Sequence, residues 1–162
     1  MKSRGGLNIE SLEMRADQSS LMVGFRSPLR DQRAIIASID NPEAMFEAGE
    51  ASKIGSRLVT LDLCGNGIRG MAYVPLLGGY LVIAGPVARE QTNFGLWFWS
   101  GDADDAAHQV SVPDLSGFEH AEGVSPALIE GRRRILIVSD DGTEAKGRFA
   151  CLLRLDPQLL QI

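Results

Sequence analysis

A chain of 162 residues that is 44% hydrophobic and 23% charged can bury one substantial core, and its composition is that of an ordinary globular protein. A formal net charge of −5 excludes nonspecific attraction to nucleic acid or to anionic lipid, both of which need a basic field. Met1-Lys2-Ser3-Arg4-Gly5-Gly6 is basic but leads into no apolar core, and no apolar run of about 18 residues follows. The expectation is a cytoplasmic protein with neither signal peptide nor membrane span.

In chain order the sequence repeats one pattern three times, at intervals of roughly 50 to 60 residues, a period that marks blades or stacked units. The first copy opens with Ile9-Glu10-Ser11-Leu12, continues with the apolar strand Leu21-Met22-Val23-Gly24-Phe25, and turns at Arg26-Ser27-Pro28. A third strand over 34–40 and a fourth over 57–63 follow. Between them 42–54 predicts a short helical insertion, with Pro42 at its start and Glu43, Ala44, Met45, Glu47, Ala48, Glu50 and Ala51 favouring helix. The second copy has Ile68-Arg69-Gly70-Met71, Tyr80-Leu81-Val82-Ile83-Ala84, the turn Gly85-Pro86, Leu96-Trp97-Phe98-Trp99 and a fourth strand over 109–112. The third has Ala121-Glu122-Gly123-Val124, Ile135-Leu136-Ile137-Val138, the turn Asp140-Asp141-Gly142 and a strand over 151–156, after which too little chain remains for a fourth.

These runs are four to six residues long, rich in Val, Ile, Leu and aromatics, and bounded by Gly, Pro, Asp or Asn, which is the signature of strands. They alternate weakly, so sheets covered on both faces are expected. The fold expected is all-β: one propeller-like domain over 1–162 with blades at roughly 7–63, 66–115 and 119–156. Closed propellers use typically 4 to 8 blades, so a half-propeller of three predicts a homodimer that closes six.

The other chemical signals reduce to structure. Gly65-Asn66-Gly67-Ile68-Arg69-Gly70 fits a dinucleotide fingerprint, but such a site needs a following helix, which Pro75 and Gly78-Gly79 forbid, so a tight connection between blades is expected. Cys64 and Cys151 lie in apolar segments and read as small buried hydrophobes. Ser27 lacks the flanking glycines of a nucleophile elbow. His120, beside Glu122, and His108 have no evident second ligand. Arg132-Arg133-Arg134 reads as a solvated strand edge, and Trp97, Phe98 and Trp99 as packing between blades.

Asn8-Ile9-Glu10, Gly24-Phe25-Arg26-Ser27-Pro28-Leu29, Gly67-Ile68-Arg69, Tyr80 to Pro86, Glu122-Gly123-Val124 and Ser139-Asp140-Asp141-Gly142 together resemble the C-terminal half of domain-of-unknown-function family 3616. The resemblance implies a β-propeller of the esterase-like and phytase-like kind, with further blades ahead of this part in longer members, and implies no activity.

In an antiparallel blade the start of the first strand lies beside the end of the second, so the charged residues of the three copies share one rim. Glu10, Arg26, Arg69, Glu122, Asp140 and Asp141 are the candidate ligand-binding residues, with Glu10 and Glu122 aimed at a central channel. Glu10, Glu122 and Asp140 are the candidate ligands of a hard cation, Ca²⁺ or Mg²⁺. The stronger reading is that such carboxylates and arginines simply pair with one another or satisfy free backbone N–H groups. Two functions stay open: a binding or assembly module with an unidentified ligand, a small molecule among the candidates, or a metal-dependent hydrolase of phosphate or other esters.

Overall fold

A computed structural model of the chain describes residues 6–87, 94–113, 115, 118, 120–140 and 150–162. Three open antiparallel sheets follow one another along the chain. The first contains β1 (Asn8–Met14), β2 (Leu21–Ser27), β3 (Ala34–Ile39) and β4 (Val59–Leu61), with α1 (Pro42–Ala48) inserted before β4. The second contains β5 (Gly67–Val74), β6 (Gly79–Gly85), β7 (Gly95–Trp99) and β8 (His108–Val110), and the third β9 (Ala121–Ile129), β10 (Arg132–Ser139) and β11 (Cys151–Leu155). Within each sheet every strand pairs with its neighbour in sequence, so the expected three sets of strands form.

The sheets stack, and β6 shows how. Its side chains alternate across the sheet. Tyr80, Val82 and Ala84 enter a core with Met22, Ile36 and Leu61 of the first sheet. Leu81 and Ile83 enter a second core with Ile135, Ile137 and Leu155 of the third. In β7 Trp97 and Trp99 serve the first core while Phe98 packs on the second. The weak alternation in the sequence therefore has a physical cause: the middle sheet is covered on both faces, and every residue of β6 is buried. The first strands β1, β5 and β9 run beside one another, β5 touching both of the others. Close approach is built in at Gly67, where a Cβ would overlap the backbone of Arg26, and at Gly70, where it would lie 2.9 Å from the Glu122 carbonyl oxygen.

Among the described residues no layer covers the outer face of the first or of the third sheet. In the first sheet Met22, Ala34 and Ile36 face the second, so the alternate residues Leu21, Val23, Ile35 and Ile39 face away. Register places Leu12 opposite Val23, Met14 opposite Leu21 and Ile9 opposite Phe25 on the same outward face; Leu12 is 61% exposed. The outward face of the third sheet mixes Leu136, Val138 and Leu152 with Arg132, Arg134 and Arg154.

Several details correct the sequence reading. The helix ends at Ala48, seven residues long, because Gly49 takes the left-handed conformation (φ 66°) and its N–H bonds the Ala44 carbonyl. The third sheet's first strand extends to Ile129, joined to β10 by Glu130-Gly131 with φ of 50° and 72°, the two-residue turn whose twist suits a hairpin; Arg132-Arg133-Arg134 thus begins β10 rather than preceding it. Cys64 and Cys151 are exposed, not buried. Cys64 occupies a turn at φ 55° after β4. Beyond β11 a 3-10 turn over Pro157–Leu159, capped by the Asp156 side chain, returns the tail so that Gln161 pairs with Ser111. The tail thereby ties the third sheet to the second.

Candidate functional site

Each of the three sheets carries a β-bulge near the start of its first strand, and each bulge falls on the charged residue of the repeat. In β1 Ile9 opposes Phe25 and Ser11 opposes Gly24, leaving Glu10 as the extra residue. In β5 Ile68 opposes Ala84 and Gly70 opposes Ile83, leaving Arg69. In β9 Ala121 opposes Ser139 and Gly123 opposes Val138, leaving Glu122. A bulge breaks the alternation and re-aims one side chain. Here it lets Ile68 and Met71 both reach the first core while the intervening Arg69 is directed toward its neighbours on the other sheets.

Because β1, β5 and β9 adjoin, the three re-aimed side chains meet. Arg69 lies between the two glutamates: its Nε is 3.1 Å from Glu10 Oε2, and its Nη2 contacts Glu122 Oε1. Arg26, from the end of β2, closes the other side of Glu10 with Nη1 at 3.2 Å from Oε1, while its Nε donates to the Pro86 carbonyl at 3.0 Å. Asn8 Nδ2 also donates to Glu10 Oε1, at 2.9 Å. The Arg69 guanidinium sits 5.6 Å from the centre of the Phe94 ring, a cation–π contact, and Phe94 in turn packs on His120 with ring centres 5.6 Å apart. The Arg69 side chain is 8% exposed and Glu122 is 43% exposed, so the network runs from a buried centre to an open edge.

Arg69 Nε and Glu10 Oε2 are both buried and lack hydrogen-bond alignment with each other, so at 3.1 Å their attraction is that of an ion pair at low dielectric. Ser11, next to Glu10, has a buried hydroxyl without a hydrogen-bond partner among the described residues.

Four of the six candidate residues, Glu10, Arg26, Arg69 and Glu122, are therefore joined in one chain of alternating charge, two positive and two negative. Asp140 is at the same end of the third sheet, its N–H donating to the His120 carbonyl at 3.0 Å, but among the described contacts its carboxylate does not join the network. Asp141 lies outside the described residues. For the cation site expected of Glu10, Glu122 and Asp140, no three His, Cys, Asp or Glu side chains converge as metal ligands among the described residues, and the Arg69 guanidinium lies between the two glutamates. A fixed cation of the protein itself already neutralises them.

The family model for a protein of unknown function, DUF3616, matches residues 2–151. The chain belongs to this family. No curated protein matches it, and no solved structure does. In this DUF3616 chain the matched region takes in all three bulges and every described member of the charged network.

Asn8, Phe94 and the Pro86 carbonyl were missed as members of the site. Asn8 stands two residues before Glu10, a spacing that signals contact along one face of a strand; nothing local marks Phe94, which arrives through the sheet stacking. A second polar cluster, at the far end of β1, was also missed. Tyr80 accepts a hydrogen bond from the Ala16 N–H at 2.8 Å, and its ring packs between Tyr73 and Trp99. Beside it burial pushes the Glu13 carboxyl above its ordinary value, partly offset by the N–H groups of Met14 and Tyr73. A carboxyl with a raised folded-state pKa contributes stability fully below its unfolded pKa and loses it as pH rises through the folded value. Glu13→Gln should therefore melt higher than the wild type at pH 7, and the gap should narrow as pH falls through the raised folded-state value toward the ordinary value of 4.5; melting curves from pH 3.5 to 7 check this.

Proposed function

We propose that this DUF3616 chain is a propeller-type binding module whose ligand meets the rim formed by Glu10, Arg26, Arg69 and Glu122. The observation that supports it is the triplicate bulge: three sheets independently spend a ladder irregularity to bring a charged residue to one place, where packing alone would favour an apolar one. A network balanced in charge, buried at Arg69 and open at Glu122, suits a polar, uncharged or zwitterionic small molecule that accepts from arginine and donates to the free edge of Glu122. We place metal-dependent ester hydrolysis second, because Arg69 bridges Glu10 and Glu122, two of the carboxylates it would use.

The test is a thermal-shift screen of a polar metabolite set against the wild type and Glu122→Gln. The reading predicts compounds that raise the wild-type melting temperature and lose that effect in the variant, whose own melting temperature stays within a few degrees of the wild type. Hits that bind the variant equally, or no hits at all, would overturn it.

The same reading makes the stacked sheets three blades of a larger ring. The outward face of the first sheet is the repeat equivalent of the faces that the second and third sheets bury, and the outward face of the third is the equivalent of the faces that the first and second bury. Each uncovered face therefore has its complement on the same chain, and a second copy supplies both at once in a twofold, six-bladed closure. Such an interface is of the obligate kind. Sedimentation should give twice the chain mass of 17.5 kDa, and a stable monomer would refute the closure.

A further inference from the structure

A cleft of about 320 Å³ lies between the second and third sheets, at the end opposite the charged rim, and the repeat explains why space is left there. Counted from the bulge, Tyr73 in β5 and Pro126 in β9 hold equivalent positions, and so do their cross-strand partners Tyr80 and Ile135. Each pair faces the preceding sheet: Tyr73 and Tyr80 pack in the first core, Ile135 in the second. Between the first two sheets the two rings lie with centres 5.2 Å apart, and the Tyr80 hydroxyl accepts from the Ala16 N–H, in the turn after β1, at 2.8 Å. Between the second and third sheets the smaller Pro126 and Ile135 stand where those rings would be. The volume of the missing aromatic groups is left open as the cleft.

The walls differ in chemistry as well as in size. By the same count the residue equivalent to Ala16 is Pro75, which has no N–H to offer, and Val74, Leu76 and Leu128 add apolar surface. Arg133 and Arg134 are the charged residues that line the cleft. Arg134 belongs to the outward face of β10 and is held by Asp156 at 2.9 Å. Arg133 shares the inward face with Ile135, two residues on, and has no carboxylate partner among the described residues. An apolar recess that lacks aromatic rings thus carries an unanswered guanidinium at its edge.

We infer that this cleft binds a small aromatic carboxylate, its ring taking the place that Tyr73 and Tyr80 fill between the first two sheets and its carboxylate meeting Arg133. Val74, Pro126, Leu128 and Ile135 would remove the ring from water, and the planar guanidinium presents the paired N–H donors that a carboxylate accepts. The volume is at the lower end of the range of about 300–1,000 Å³ for ligand pockets, which suits one ring with a short acid chain. The cleft is at the other end of the sheets from Glu122 and is formed within one chain, so it depends neither on the rim ligand nor on closure by a second copy.

Calorimetric titration of the full chain with phenylacetate tests it, beside phenylacetamide and phenethylamine, which keep the ring and remove or reverse the charge. The wild type should bind phenylacetate saturably at millimolar concentration or below and the other two at least tenfold more weakly. Arg133→Gln, at an exposed position, should weaken phenylacetate at least tenfold and bring it level with phenylacetamide. Pro126→Tyr returns a ring to the cleft and should abolish binding; unchanged circular dichroism checks that both variants fold, and Arg133→Gln decides alone if Pro126→Tyr does not. No saturable binding by the wild type, phenylacetamide binding as tightly as phenylacetate, or full affinity for phenylacetate in either folded variant overturns the assignment.

Discussion

Arg69→Ala should destabilise the protein by about 3–5 kcal/mol, the range for removing one partner of a buried ion pair. Glu10 and Glu122 would then share one end of the sheets with no guanidinium between them, Glu10 keeping only Arg26 and Asn8. The loss is large because Arg69 is 8% exposed and touches both carboxylates, so water cannot readily replace it. Urea titrations at pH 7 measure the loss. The triple variant Glu10→Gln, Arg69→Met, Glu122→Gln should be far less damaged than Arg69→Ala, since replacing all the partners leaves no uncompensated charge. Equal damage in both would mean that Arg69 acts through its packing on Phe94.

Trp99→Ala should cost about 3–5 kcal/mol, the range for truncating a large aromatic in a packed core. Trp99 is fully buried in the core between the first two sheets, its ring 5.5 Å from that of Tyr80, and its Nε1 donates to the Asp102 carbonyl at 2.8 Å. Truncation opens a cavity between the sheets and strands that carbonyl. Trp99→Phe retains most of the ring and should cost markedly less, isolating the cavity from the hydrogen bond. Thermal melts of the two variants rank them, and near-equal losses would contradict the cavity account.

The legible part of this fold is local. Glu10, Arg69 and Glu122 were recognisable as equivalents because each follows an apolar residue at the head of a strand, and their shared end of the sheets followed from antiparallel pairing alone. What the charges do there was not legible. Bulging depends on how the two strands of a pair settle their register, and pairing depends on the sheet-to-sheet approach that Gly67 and Gly70 permit. Hence an expected cluster of carboxylates became a carboxylate–guanidinium chain, with Asp140 left outside it among the described contacts. Cys64 failed for a related reason: its apolar neighbours suggested a strand interior, but the chain turns there at positive φ.

The sequence by itself determined the number of strand sets, their order and the hairpin-like pairing of neighbours. These depend on spacing, turn residues and hydrophobic pattern, which act over a few residues. Only the tertiary structure decided that Arg69 stands between Glu10 and Glu122, that Phe94 covers it, that the tail pairs Gln161 with Ser111, and which faces of the outer sheets remain without a layer among the described residues. Those outcomes join residues about 50 positions or more apart in most cases, where contact is set by how whole sheets stack and not by any preference of the segments that make them.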